Sequence, residues 1–464
     1  RPVMQILPSS AFAVLVTLLT SPQLVLAQAS DLEALVDSIA AEHVGSTLAG
    51  LSVGVSRGDE VLLKKSYGHA NLQWQVPMPM DAVHEIGSVT KQFTSASMLQ
   101  LYGQEKLDLD ADISEYLPDF DTQGRQISVR RLMDHTSGIK GFTEMPEFRE
   151  IGQRTLPRED LLRLIEKQPF EFEPGEALIY NNSAYFLMGL IIESVSGQSF
   201  EEYVDQNLFT PAGMANSSYC SNSELVEQKA QGYQYSAEGL KLARYHDHTW
   251  PYAAGSLCST VSDLLAWNRA LHHGEILSPA LYELLITPVP LTDGTPIRYA
   301  MGVTHYQHAT GRVIEHGGGI DGFLSNSRYY PDEDVTVIVL QNTGAPPGPA
   351  AITDQIGEHL FGTPGVPDAQ TLSGDLSRYE GIYRGPGRGS TITATVTSEN
   401  DELKLSLEAR GNAGPSQTPS YVGANTFSQG NVRYIFELDE GDSYAPVLRM
   451  DSPSSHYVLR KLND

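Results

Sequence analysis

The chain has 464 residues, 41% of them hydrophobic, and carries 57 acidic against 31 basic side chains for a formal charge of −26. That size and apolar content suit a soluble protein with one large core and a smaller companion domain. The negative field excludes binding to phosphate backbones or anionic lipid, so neither nucleic acid nor a membrane surface is an expected partner.

The chain opens on an apolar run, Ala11-Phe12-Ala13-Val14-Leu15-Val16-Thr17-Leu18-Leu19, too short to cross a bilayer and followed by small residues. It predicts an export leader over 1–29, cut after Ala27 or Ala29, with a basic region reduced to Arg1. No cysteine lies near the cut, so no lipid anchor is expected, and no later segment is long and apolar enough to span a membrane. The expected location is periplasmic or secreted. Leu32, Leu35, Val36 and Ile39 follow at helical spacing. Leu51 to Arg57 and Val61 to Tyr67 then form a hairpin turning at Gly58-Asp59. Within it, Gly50-Leu51-Ser52-Val53-Gly54 matches the Gly-x-Ser-x-Gly nucleophile elbow. That elbow needs a helix after the serine, whereas strand continues here, so Ser52 is read as structural.

Glu85-Ile86-Gly87-Ser88-Val89-Thr90-Lys91 is the stretch with chemical promise. A serine in the first turn of a helix, with lysine one turn on, brings hydroxyl and amine to one face. The helix N-terminus favours an oxyanion there. Ser-x-x-Lys alone is weak, since about one match is expected by chance in a chain of this length, and by itself Ser88 reads as an N-cap serine. A second match, Ser137-Gly138-Ile139-Lys140, lies in a glycine-marked loop, whereas nothing interrupts the run from Gln92 to Leu101.

From about Asp81 to Pro290 the pattern is mostly helical with long polar loops. Tyr180-Asn181-Asn182 stands in this region. A tyrosine near the Lys91 ammonium is expected to have a lowered pKa and to act as general base on Ser88, and Asn182 offers an amide to a substrate carbonyl. A lone Tyr-x-Asn otherwise reads as a satisfied tyrosine and a turn. The only cysteines, Cys220 and Cys258, are read as a disulfide in an exported protein, closing a loop of 38 residues worth about 4 kcal/mol. The pairs His246/His248, His272/His273 and His305/His308 lack a helix-borne ligand spacing and are read as solvated, so no metal is expected.

Strands return at Arg312 to Glu315, Phe323 to Tyr330 and Val335 to Leu340, with turns expected at Gly317-Gly318-Gly319 and at Pro331 to Asp334. Gly317 also starts a Gly-x-Gly-x-x-Gly match, discarded because a strand rather than a helix follows. His316-Gly317-Gly318-Gly319 would let a substrate lie along a strand edge, with the Gly319 N–H pairing with that of Ser88 as an oxyanion hole. Ala350 to Leu360 reads as a terminal helix. Residues 363–375 are a linker, and 376–464 show short alternating runs read as a small all-β domain.

Ser-x-x-Lys, Tyr-x-Asn and His-Gly-Gly-Gly in this order resemble the motifs of the serine β-lactamase and penicillin-binding-protein superfamily, most of all its class C branch with related esterases and D-aminopeptidases. Leu132-Met133-Asp134-His135-Thr136-Ser137-Gly138-Ile139 and Leu208-Phe209-Thr210-Pro211-Ala212-Gly213-Met214 are similar to family stretches, and Tyr379-Glu380-Gly381-Ile382-Tyr383 is similar to a lipocalin-like domain found behind some members. The resemblance implies an α+β fold: an antiparallel sheet flanked by helices, with a large helical insertion, over 30–362, followed by a small all-β barrel. It implies Ser88 as acylated nucleophile, Lys91 as the poising lysine, Tyr180 as base and acid, and Asn182, His316, Gly318 and Gly319 as substrate-binding, with no cofactor. His135 is implied to anchor a loop. The family often has lysine at His316, so carboxylate recognition is expected to be weaker. An esterase or D-amino-acid peptidase acting on a small molecule or peptide therefore ranks above a β-lactamase or a slowly acylating sensor. The oligomeric state is left open.

Overall fold

The computed structural model describes residues 22–308, 310–362, 369–372, 374–439 and 441–462. Most of the expected leader, residues 1–21, lies outside these, and the helix Pro22–His43 runs through both expected cleavage points. Half of the expected linker also lies outside. Among the described residues no helix is long and apolar enough to cross a membrane.

Seven strands form the main sheet in the order Thr304–His308, Gly311–Ile320, Phe323–Tyr330, Val335–Gln341, Gly50–Arg57, Glu60–Asn71, Val76–Pro77. The two ends of this region therefore meet: Leu51 faces Gln341 and Arg57 faces Val335, antiparallel. Val335–Gln341 is buried at every position and Gly50–Arg57 nearly so, the mark of central strands covered on both faces. Ser52 is one of these buried strand residues, its Oγ 2.9 Å from Ser66 Oγ. On one face, helices Pro22–His43 and Pro349–Phe361 close a core of Val36, Val53, Val337 and Ile356. On the other lies the larger, mostly helical core supplied by residues 86 to 301. That region also contains short strands, among them Leu178–Ile179, Tyr233–Ser236 and Leu257–Ser259, which the helical periodicity of the sequence does not register.

The helix Thr90–Gly103 runs through the middle of the larger core. Every residue from Thr90 to Leu99 is buried, so small side chains are needed for close approach of its neighbours. Thr94 donates to the Ala253 carbonyl at 2.6 Å, Trp267 stacks on Phe93 at 3.9 Å, and Trp267 Nε1 donates to Gln92 Oε1. A helix held on all sides gives its N-terminal turn a fixed position.

The expected turn at Gly317-Gly318-Gly319 is corrected. The strand Gly311–Ile320 continues through these glycines, and the chain reverses at Asp321-Gly322. Glycine density here reflects crowding: a Cβ on Gly318 would lie 2.0 Å from the Ile86 carbonyl oxygen.

Residues 381–461 form a curled antiparallel sheet around Tyr383, Leu405, Phe436 and Leu459. Its last strand, Ser455–Lys461, also pairs with Leu178–Ile179, immediately before Tyr180.

Candidate active site

Ser88 sits in the single 3-10 turn Gly87–Val89 that leads into the helix Thr90–Gly103. Lys91, fully buried one turn on, places its Nζ 3.2 Å from Ser88 Oγ and 2.8 Å from both Asn182 Oδ1 and the Ala254 carbonyl oxygen. Burial, helped by the positive charge of Arg388, holds the Lys91 pKa well below that of a free lysine. A neutral amine has two N–H groups and one lone pair. With two contacts fixed on oxygen at 2.8 Å, Lys91 Nζ turns its remaining direction to the Ser88 hydroxyl, and the depressed pKa favours the neutral amine, whose lone pair would face that hydroxyl.

Tyr180 comes from the segment after Leu178–Ile179. Its ring lies under Lys91, whose Nζ is 4.8 Å from the ring centroid, and stacks at a tilt on His135 at 4.3 Å. Its hydroxyl is buried near that of Ser88 and, among the described residues, has no partner in good hydrogen-bond alignment. The expectation of a lowered tyrosine pKa is corrected. Burial raises it; the nearby Ser88 hydroxyl and the Arg388 guanidinium act the other way and do not offset it. Desolvation disfavours phenolate more than a neutral amine beside it can help. Tyr180 therefore stands as a phenol, a proton donor, and the basic lone pair in the cluster is that of Lys91.

Asn182, at the start of the helix Asn182–Ser196, is engaged on both ends: Oδ1 accepts from Lys91, and Nδ2 donates to Thr143 Oγ1 at 3.1 Å. His135, left out of the site by the sequence reading, supports it from behind. Its Nδ1 accepts the Asn181 N–H, and its ring packs on Tyr180, Tyr185 and Tyr299.

The strand Gly311–Ile320 borders the cleft. Its pairing with Thr304–His308 stops at Glu315, so among the described residues the edge from His316 to Ile320 has no strand partner on that side. Gly319 packs against Gly87: a Cβ on Gly87 would lie 2.8 Å from the Gly319 nitrogen. His316 is buried, with Nδ1 2.6 Å from the Gly317 carbonyl and Nε2 2.9 Å from the Tyr299 hydroxyl. A carbonyl only accepts, so Nδ1 carries the proton and Nε2 accepts from Tyr299. Burial and the nearby Lys91 push its pKa down to about 3. Both nitrogens are occupied and the ring is neutral.

The missing cation arrives from elsewhere. Arg388, on the turn between strands Gly381–Gly387 and Ser390–Glu399 of the C-terminal sheet, holds its guanidinium 5.0 Å from the Tyr180 ring centroid. Its Nε donates to Glu144 Oε1 at 2.7 Å, and Arg410 also bonds Glu144. Both arginines bond the one Glu144 carboxylate, and Arg388 shares the wall of the cleft with Ser88. Two lobes of the cleft, of about 400 and 740 Å³, meet at Ser88, Asn182, Gly319 and Arg388. The smaller is walled by Phe148, Trp250 and Leu324; the larger by Tyr180, His316 and Tyr457. The sequence signal that would have found Arg388 is Gly385-Pro386-Gly387-Arg388-Gly389, a tight turn displaying one charged side chain.

Two further expectations meet the coordinates here. Cys220 and Cys258 form a disulfide. His246 and His248, expected to be solvated, are instead buried around Glu85. They sit on a loop that packs against the strand His84–Glu85, a placement that linear spacing cannot register.

A family model described as Beta-lactamase matches residues 36–360. Penicillin-binding protein 4* of Bacillus subtilis (strain 168) is 28% identical over 382 residues, covering 77% of this chain and 83% of that protein. A D-aminopeptidase of Gluconobacter oxydans (strain 621H) is 28% identical over 325 residues, covering 67% of this chain but only 58% of that protein. The solved octameric penicillin-binding protein homologue from Pyrococcus abyssi shares the fold with a TM-score of 0.63 at 23% identity, covering 92% of this chain and 99% of that one.

Proposed function

This chain belongs to the Beta-lactamase family, and from that premise we propose that it is an exported serine hydrolase forming an acyl-enzyme at Ser88 on esters or on amides of D-amino acids. The observation that carries the reading is the Lys91 amine, 3.2 Å from Ser88 Oγ, with its other two contacts fixed on oxygen. In the proposed cycle Ser88 Oγ attacks the substrate carbonyl while its proton passes to Lys91. The oxyanion is held by the N–H groups of Ser88 and Gly319. Tyr180 gives its proton to the leaving alcohol or amine, and the Lys91 ammonium restores the phenol. Water then repeats the sequence on the acyl-enzyme and releases the acid. Assigning base to Lys91 and acid to Tyr180 follows from the opposite effects of burial on a cation and a phenol.

Arg388 supports a substrate with an anionic group near the scissile bond, the place that His316 leaves without charge. The aromatic wall of Phe148 and Trp250 supports an apolar group beside it. The D-amino-acid preference rests on the likeness to the D-aminopeptidase. Export rests on the apolar leader and on the disulfide. We also propose that 30–362 carries the chemistry and that 376–464 is an accessory domain.

Labelling with a fluorophosphonate tests the centre of this reading. Wild-type protein and Ser52→Ala should be labelled and Ser88→Ala should not; label retained in Ser88→Ala refutes the assignment. A panel of p-nitrophenyl esters, D-aminoacyl anilides and a chromogenic cephalosporin then tests the substrate class.

A further inference from the structure

Glu85 lies on the strand His84–Glu85, directly upstream of the Ser88 turn, and takes no part in the chemistry above. Its side chain is buried, and two imidazoles close on it. His246 Nε2 lies 2.9 Å from Glu85 Oε2, and His248 Nε2 lies 3.5 Å from Glu85 Oε1. Relative exposures of Glu85, His246 and His248 are 5%, 8% and 3%. These approaches are at or near hydrogen-bond distance, yet among the described residues Glu85 Oε2 and both Nε2 atoms have no partner in good hydrogen-bond alignment. Three buried polar atoms thus converge, all within 4.8 Å of one another. Misaligned buried polar atoms are destabilising, and one group bonding all three at once relieves them.

We propose that Glu85, His246 and His248 bind a divalent transition-metal ion of the zinc class. Two imidazoles and one carboxylate suit Zn²⁺, Co²⁺ or Ni²⁺, whereas calcium and magnesium require oxygen ligands. The scaffold is preset. Asn222 Oδ1 accepts the His248 N–H, Asn222 Nδ2 donates to the His246 carbonyl, and Tyr219 donates to the His248 carbonyl. Glu85 pairs with Cys258, one half of the disulfide. Lys229 Nζ stands 2.9 Å from Glu85 Oε1. Lys229 and, on the same cavity wall, Arg244 oppose a cation; the Lys229 contact suits a carboxylate that turns Oε2 to the metal and keeps Oε1 on an outer partner. A cavity of about 380 Å³, lined by Glu85, Asn222, Lys229 and His246, gives entry and room for a water as fourth ligand. The ion would clamp the loop at 246–248 onto the strand that leads to Ser88, as a structural site apart from the acylation chemistry.

The test uses the untagged full chain, stripped with chelator. Titration with Zn²⁺ against a chromophoric chelator should give one equivalent bound, and Co²⁺ should give visible ligand-field bands. Saturating Zn²⁺ should raise the thermal midpoint by roughly 4 °C. Glu85→Gln and His246→Ala, each with a wild-type circular dichroism spectrum, should weaken Zn²⁺ at least about tenfold and remove the Co²⁺ bands. Ser88→Ala should bind as wild type. No stoichiometric uptake by the wild-type protein overturns the proposal, whatever the fate of the variants. So does unchanged affinity in both ligand variants, which would place the ion on other histidines.

Discussion

Gly318→Ala tests the spacing between the nucleophile turn and the strand beside it. The added methyl would sit 2.0 Å from the Ile86 oxygen and 2.3 Å from Ser325 Oγ. Neither neighbour yields easily. Ser325 donates to the Ile86 carbonyl at 2.8 Å, and the Ile86 N–H is held by the Leu257 carbonyl. Real Cβ contacts stay beyond 3.0 Å, so the strand must retreat by about 1 Å, carrying the Gly319 N–H away from that of Ser88. A displacement of that size costs about a hundredfold, and loss of one oxyanion donor costs about 10²–10³ in rate, or 2.7–4 kcal/mol. The expected result is a fluorophosphonate acylation rate lower by about two orders of magnitude. Overpacking of about 1–3 kcal/mol should leave the protein folded, with a modestly lower thermal midpoint. Gly317→Ala is the control, since its Cβ meets nothing closer than 3.7 Å, and it should label within about threefold of wild type. Near-normal acylation in Gly318→Ala, or equal losses in both variants, refutes the reasoning.

Arg388→Gln should raise KM for substrates carrying an anionic group by about tenfold or more while barely changing it for neutral esters; equal effects on both would remove Arg388 as the anchor. The same variant should alter the pH profile. Activity needs the neutral Lys91 amine, so kcat/KM should climb with pH through the depressed Lys91 pKa, and removing a cation that helps depress it should move that limb to higher pH; a shift to lower pH would contradict the assignment of the base. Asp134, buried beside the site, has its pKa raised from 3.8 to about 6 by burial, opposed by Thr136 and Arg131. Its contribution is therefore fully present below pH 3.8 and lost as pH rises through 6, amounting to as much as about 3 kcal/mol at pH 8. Asp134→Asn should flatten the dependence of the thermal midpoint over that range and be at least as stable at pH 8. Reducing Cys220–Cys258 should destabilise the fold by about 4 kcal/mol, read as a lower denaturation midpoint with reductant.

Local pattern carried a good part of this molecule. The apolar β-forming runs of Leu51 to Arg57 and Val335 to Leu340, and the three-residue spacing of Ser88 and Lys91, are properties of neighbouring residues and persist in three dimensions. What the sequence concealed is non-local. Gly317 to Gly319 resemble a turn in one dimension, whereas Gly318 and Gly319 serve the close passage of Ile86 and Gly87. A neighbouring lysine lowers a tyrosine pKa, but burial of Tyr180 works in the opposite direction and outweighs it. Arg388 lies far along the chain from Ser88 and enters the cleft only because one hairpin turn folds back on Glu144. His246 and His248 look like loop histidines until Glu85 is seen between them.

The strand pairing of Ile179 with Ser455 and of Leu178 with His456 has a practical side. A shortened chain ending at Phe361 would not be a minimal enzyme. It would bare a strand edge next to Tyr180, strip Arg298 of its 2.9 Å contact with Asp451 and Glu144 of both arginines, and invite aggregation at the exposed edge. Redirecting the enzyme to new substrates is better attempted by varying the few residues around Arg388 in place than by exchanging or deleting the whole C-terminal sheet.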